Sequence, residues 1–173
     1  LSYLKNLPID QRVGQAGLEL LSLCQMAAGR LPEELAQSLR TELREYGTPF
    51  HIIRTLPARM QYDRGEIHVM AGEPIRLLFE NNDTMPHNLV LVALGAREEV
   101  GRAAEEMATQ PGAWEKGYIP DSDKILQATR LLKPGESELL TFNVPSKPGK
   151  YEFVCTFPGH WRTMYGVLSV SPR

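Results

Sequence analysis

The sequence predicts a mainly β fold, an antiparallel sandwich or barrel with a helical hairpin ahead of it, on three observations. From Phe50 onward the chain runs in short β-branched and aromatic stretches separated by Gly, Pro, Asn and Asp. Before that point, residues 11–46 carry the helical period instead. Tight-turn residues separate the strand-like stretches at Ala71-Gly72-Glu73-Pro74, Lys133-Pro134-Gly135 and Lys147-Pro148-Gly149.

In the helical part, Val13, Gly17, Leu20, Leu21, Cys24 and Ala28 share one stripe, and Leu35, Leu39, Leu43 and Tyr46 a second. Asp10 suits the cap of the first helix and Gly29 its end. Pro32 with Glu33 and Glu34 suits a second start, and Gly47 followed by Pro49 a second stop. Two such helices bury too little apolar surface to stand alone. Residues 1–48 are therefore expected as an extension whose stripes pack on the rest of the chain or on a neighbouring module.

Residues 49–173 form the main domain, with strands expected at 51–56, 65–70, 75–81, 87–94, 123–131, 137–144, 149–155 and 165–171. Ile67, Val69, Ile75, Leu77 and Phe79 share one parity and hence an inward face. The stretch at about 95–117, rich in Ala and Glu, reads as a surface helix flanked by loop, with Trp114 packing that insertion.

The formal charge is -2 over 173 residues, and no window concentrates Lys and Arg with interleaved aromatics, so a nucleic-acid surface is not expected. The longest apolar run, around Leu18 to Leu23, is broken by Glu19 and Ser22 and is too short to span a membrane. The opening Leu-Ser-Tyr has no charged-then-apolar leader and reads as a processed form or a piece of a longer polypeptide. The two cysteines, Cys24 and Cys155, lie in segments of opposite character, which does not indicate a disulfide. Cys24 reads as a small hydrophobe on its helical stripe.

The chemistry concentrates in Cys155-Thr156-Phe157-Pro158-Gly159-His160-Trp161-Arg162-Thr163-Met164. A thiol at a strand end is followed by an imidazole five residues on and a thioether nine residues on, and a tight loop converges all three. Copper cycling between Cu(I) and Cu(II) favours a thiolate and two imidazoles in a near-trigonal plane with a weak axial thioether. His87, at the head of a strand in Met85-Pro86-His87-Asn88, supplies the missing imidazole. A structural zinc site would use four Cys or His ligands and would not select a thioether.

The loop Cys-Thr-Phe-Pro-Gly-His ending in Met resembles the ligand loop of azurins, and the likeness extends to Met60-Gln61-Tyr62-Asp63, His87-Asn88, Tyr118 through Thr129 and Thr141-Phe142-Asn143-Val144. It covers roughly residues 56 to 170. The resemblance implies a cupredoxin Greek-key β-sandwich of about eight strands and an extracytoplasmic, periplasmic redox role. It makes His87, Cys155 and His160 the equatorial ligands and Met164 the axial one. Azurins have Gly before this histidine, with its carbonyl approaching copper; here Pro86 stands in its place, in a Pro86-His87-Asn88 sequence like that of plastocyanins, and this departure leaves a weak carbonyl contact from Pro86 open. The azurin disulfide has no counterpart here, and Leu89 replaces the buried tryptophan.

Asn88 follows one ligand and Thr156 another, so a side-chain hydrogen bond between them would lock the two loops before metal arrives. Met85, Pro86, Pro158 and Trp161 offer apolar cover around the edge of His160 as a docking patch. The function expected is one-electron transfer by a type 1 copper protein, not an enzyme. Its partners would be redox proteins such as a c-type cytochrome or a dehydrogenase, separate or fused in the same polypeptide. Copper storage or delivery is the alternative, although such sites tend to be exposed and rich in Met or His. A copper oxidase or nitrite reductase needs further histidines, and only His51 and His68 remain, both expected as ordinary surface or satisfied strand residues.

Overall fold

Burial alternates where the sequence alternates. In the computed structural model, which describes Asn6, Pro8, Gln11, Arg12 and residues 14–172, β4 (Pro74–Glu80) buries Ile75, Leu77 and Phe79 and leaves Arg76, Leu78 and Glu80 half-buried. Asp10 and Val13, assigned above to the first helix, lie outside the described residues. The other strands are β1 (Phe50–Leu56), β2 (Gln61–Tyr62), β3 (Glu66–Met70), β5 (Val90–Val92), β6 (Ile125–Ala128), β7 (Ser137–Asn143), β8 (Gly149–Val154) and β9 (Tyr165–Ser171). They form two sheets, in the orders β2-β1-β4-β7 and β3-β9-β8-β5-β6.

Each expected strand overlaps one of these, and β2 is additional because two residues are too few to show an alternation. The stretches 87–94 and 123–131 shrink to Val90–Val92 and Ile125–Ala128. The reason is local. The Leu89 N–H donates to the Thr129 side chain instead of to a ladder carbonyl, and the register shifts between Leu91 and Val92. The sandwich is also mixed, not purely antiparallel, because β1 pairs β4 and β3 pairs β9 in parallel. Neither pair is joined by a tight hairpin, so nothing forces the antiparallel sense.

The inner faces meet in one core that includes Ile53, Ile67, Ile75, Phe79, Leu89 and Phe153. Tyr62 stands edge-on to Phe79 and Phe153, and its hydroxyl donates to the Asn88 carbonyl at 2.8 Å. That bond carries the order of the core toward one end of the sandwich.

The N-terminal hairpin comprises α1 (Gln15–Ala28) and α2 (Glu33–Arg44), which share a small apolar cluster around Leu21 and Leu43 with Cys24 half-buried beside it. Helix α1 lies against β1 and β3, one strand from each sheet. The Ile52 N–H donates to Ser22 Oγ at 3.0 Å, and Arg64 donates to the same oxygen at 2.9 Å. Arg54 of β1 pairs with Glu19 of α1 and with Glu80. The hairpin thus covers a strand edge that would otherwise invite pairing with another chain. Gly29 follows α1 at a position where nothing larger fits: a Cβ there would sit 2.2 Å from the His68 ring.

His51 departs from the expectation of an ordinary strand residue. It is 2% exposed with its Nε2 unpartnered among the described residues, and burial, helped by Arg64, lowers its pKa to about 4.

The 95–117 insertion forms α3 (Arg97–Met107) followed by turns. Val100 of α3 packs with Val90, Val92, Val154 and Trp161 in a second cluster. Trp114 does not pack the insertion as expected. It is 49% exposed, edge-on to Tyr118.

Candidate metal centre

Strand β8 delivers Cys155 to one end of the sandwich, and the loop after it turns back at once. Gly159 sits at φ +83°, a left-handed conformation that glycine adopts without strain, and His160–Arg162 make a single 3-10 turn. The Cys155 N–H donates to the Met164 carbonyl at 3.0 Å, and the Met164 N–H to the His160 carbonyl at 2.8 Å. The loop is closed by its own backbone. His87 is fixed from the other side, by reciprocal backbone bonds of 3.0 and 2.8 Å with Leu132.

These frames bring three donors together. Cys155 Sγ lies 3.7 Å from His87 Nδ1 and 3.6 Å from His160 Nδ1, and the ligand atoms of all three residues fall within 4.8 Å of one another. Met164, fully buried, belongs to the same core cluster as Cys155. Bonds of about 2.0–2.3 Å from a first-row metal to N and S would separate neighbouring donors by about 3.5–3.7 Å. The spacing therefore fits such an ion, and a thiolate with two imidazoles beside a thioether fits copper.

The electrostatics set the resting protonation. Burial pushes the Cys155 thiol up to about 12, against the backbone N–H groups of Asn88 and Phe157, which favour the thiolate. A metal ion would replace the thiol proton. Burial and the adjacent His87 ring hold His160 at about 4, and burial lowers His87 as well, opposed by Asp83. Both imidazoles are thus neutral at pH 7, the form that ligates.

Asn88 and Thr156 join the two ligand-bearing segments. Asn88 Nδ2 donates to Thr156 Oγ1 at 2.7 Å and to the Gly117 carbonyl at 2.9 Å, while its Oδ1 accepts the Thr156 N–H at 2.8 Å. Sequence reasoning missed Asp83, whose Oδ2 lies 3.0 Å from His87 Nε2 with both residues buried. Burial works against the Asp83 carboxylate, but the N–H groups of Ala58 and Thr84 and the His87 ring outweigh it and lower its pKa. An acid four residues before a candidate ligand was the available signal.

The surface around His160 differs from the patch expected. Met85 is 39% exposed, and Pro86 and Pro158 are half-buried. Trp161 is only 7% exposed, and its ring covers Gly101 of α3, so it cannot serve as docking cover. Its place is the seam between α3 and the sheet. His160 itself is 3% exposed.

Residues 53–171 match the family of copper binding proteins described as plastocyanin/azurin. Auracyanin-A of Chloroflexus aurantiacus is 32% identical over 114 residues, 65% of this chain and 68% of that protein. Auracyanin-B of the same organism is 36% identical over 125 residues, and the chain spans about half of its length, 51%. The structure of dithionite-reduced auracyanin from Roseiflexus castenholzii superimposes with a TM-score of 0.62 at 34% identity, over 70% of this chain and 95% of that one. With the two-sheet sandwich, these likenesses make the fold a cupredoxin. The chain belongs to the plastocyanin/azurin family of copper binding proteins, and copper is its cofactor.

Proposed function

We propose that this chain relays single electrons between redox proteins through one copper ion that His87, Cys155, His160 and Met164 would hold. The observation that supports it most is the buried set of one sulfur and two imidazole nitrogens, spaced for a metal by loops that are hydrogen-bonded to each other through Asn88 and Thr156. Copper supplies a Cu(I)/Cu(II) couple. Bound there, it would take one electron from a donor and pass it to an acceptor.

The protein's own contribution is rigidity. Asn88 ties the His87 segment to the Cys155 loop, so the donors do not have to rearrange between oxidation states. Donors that are 0–3% exposed suit a relay better than copper delivery, which needs the ion to be reached by a receiving site. The electron passes through the His160 side, with Met85, Pro86 and Pro158 as apolar docking surface. The unit at 49–173 carries the whole site, and the extension at 1–48 contributes no ligand. Partners of the class of c-type cytochromes or dehydrogenases, separate or fused in the same polypeptide, and an extracytoplasmic, periplasmic setting complete the reading.

Protein-film voltammetry of the copper-loaded chain tests it. A reversible one-electron wave is expected. Absence of that wave, together with rapid loss of copper to a weak chelator, would favour delivery instead.

A further inference from the structure

The sequence pattern leaves Asp83 without a task, and the structure gives it one. A neutral imidazole has one N–H, so which nitrogen offers a lone pair depends on which holds the proton. His87 directs Nδ1 toward Cys155 Sγ and Nε2 toward Asp83 Oδ2, 3.0 Å away. An ionised carboxylate accepts only, so the proton must sit on Nε2 and the lone pair on Nδ1.

Asp83 cannot turn away from this duty. Its other oxygen, Oδ1, accepts the Ala58 N–H at 3.0 Å and the Thr84 N–H at 2.7 Å. Its own N–H donates to Asn81 Oδ1 at 3.1 Å. The carboxylate is therefore clamped with one oxygen on the backbone and the other on the ring.

We propose that Asp83 is a positioning residue that fixes the Nδ1-ligating tautomer of His87 and, by its negative charge, favours Cu(II) over Cu(I). The proposal rests on the reading of His87 as a copper ligand. Carboxylate–histidine–metal arrangements raise the basicity of the ligand, and disrupting them typically costs about 10–100-fold in metal affinity.

Asp83→Asn is the informative change because it is isosteric. The N–H groups of Ala58 and Thr84 require an acceptor at the Oδ1 position, so the new amide nitrogen faces His87 Nε2. A donor there demands a lone pair on Nε2, and the ring proton moves to Nδ1, the wrong nitrogen for the metal.

The test combines three readouts. Two-bond 15N–1H correlation spectra of the metal-free wild type should show the Nε2–H tautomer at His87, a result that needs no variant to fold. The same spectra of Asp83→Asn should show Nδ1–H. Copper(II) affinity of the variant should fall about 10–100-fold. Its reduction potential should rise by about 59 mV for each tenfold by which Cu(II) loses more affinity than Cu(I). An Nδ1–H wild type, or a folded Asp83→Asn with unchanged affinity and potential, would overturn the assignment. If the wild type instead bound no copper at Cys155, the ligand reading would fail, and the metal-free tautomer would still report on the Asp83 bond by itself.

Discussion

Replacing Gly101 by Ala tests how the helical insertion governs the ligand loop. In an ordinary helix interior this change stabilises by about 1 kcal/mol, because alanine loses less backbone freedom. Here a Cβ would lie 2.4, 2.6 and 2.7 Å from Cδ2, Cγ and Cε3 of the Trp161 ring. Carbon–carbon contacts settle at about 3.5–4.0 Å, so ring or helix must move by about 1 Å. Overpacking of that kind costs about 1–3 kcal/mol, which leaves a net loss of about 0–2 kcal/mol. Trp161 lies between His160 and Met164, so the displacement reaches the donors directly. Urea unfolding of the metal-free protein measures the energy, and the visible spectrum of the copper form measures the site. In a Trp161→Leu background the same Gly101→Ala change should be neutral or stabilising, and the difference gives the coupling. A gain of about 1 kcal/mol from Gly101→Ala in the wild-type background would refute the steric argument.

Three further outcomes follow from other parts of the molecule. Ser22→Ala removes the acceptor shared by the Ile52 N–H and Arg64, so it should cost about 1–3 kcal/mol or more in urea unfolding while leaving the copper spectrum unchanged. His51, neutral and buried in the folded state, gains a proton on unfolding at any pH below its ordinary 6.5, and stability should fall until its folded value of about 4. At about 1.4 kcal/mol per pH unit that window is worth about 3 kcal/mol, and wild type should lose this much more than His51→Leu between pH 7 and pH 4. Met85→Lys should slow electron exchange with a partner, or self-exchange, without altering the spectrum, and the parent rate should change little with salt because the patch carries few charges.

The parts of the fold that sequence made legible are those with a local period. Strand β4 alternates over seven residues, and the parity of Ile75, Leu77 and Phe79 names its inner face directly. Strand β2 spans two residues and has no period to read. The parallel pairings of β1 with β4 and β3 with β9 depend on crossings between distant segments, which no local pattern encodes. Hairpin α1–α2 shows its apolar stripe in the sequence. That it covers a strand edge through Ser22 does not, because a serine on a helix reads as solvent-facing until its partner is known.

The site divides in the same way. The spacing of Cys155, His160 and Met164 marks a convergent loop, and Asn88 and Thr156 follow as neighbours of candidate ligands. Trp161 misleads, since an aromatic beside a metal loop looks like surface cover, and only Gly101 of α3 reveals the slot that holds it. Asp83 stays hidden because its carboxylate meets the ring through a turn held by Asn81, Ala58 and Thr84.

Copper(II) titration followed by visible absorption tests the centre most directly, on the wild type, Cys155→Ser and Cys24→Ser. One equivalent should produce an intense thiolate-to-copper charge-transfer band in the wild type and in Cys24→Ser, and none in Cys155→Ser. A band that survives Cys155→Ser, or disappears with Cys24→Ser, would contradict the assignment of the thiolate at Cys155.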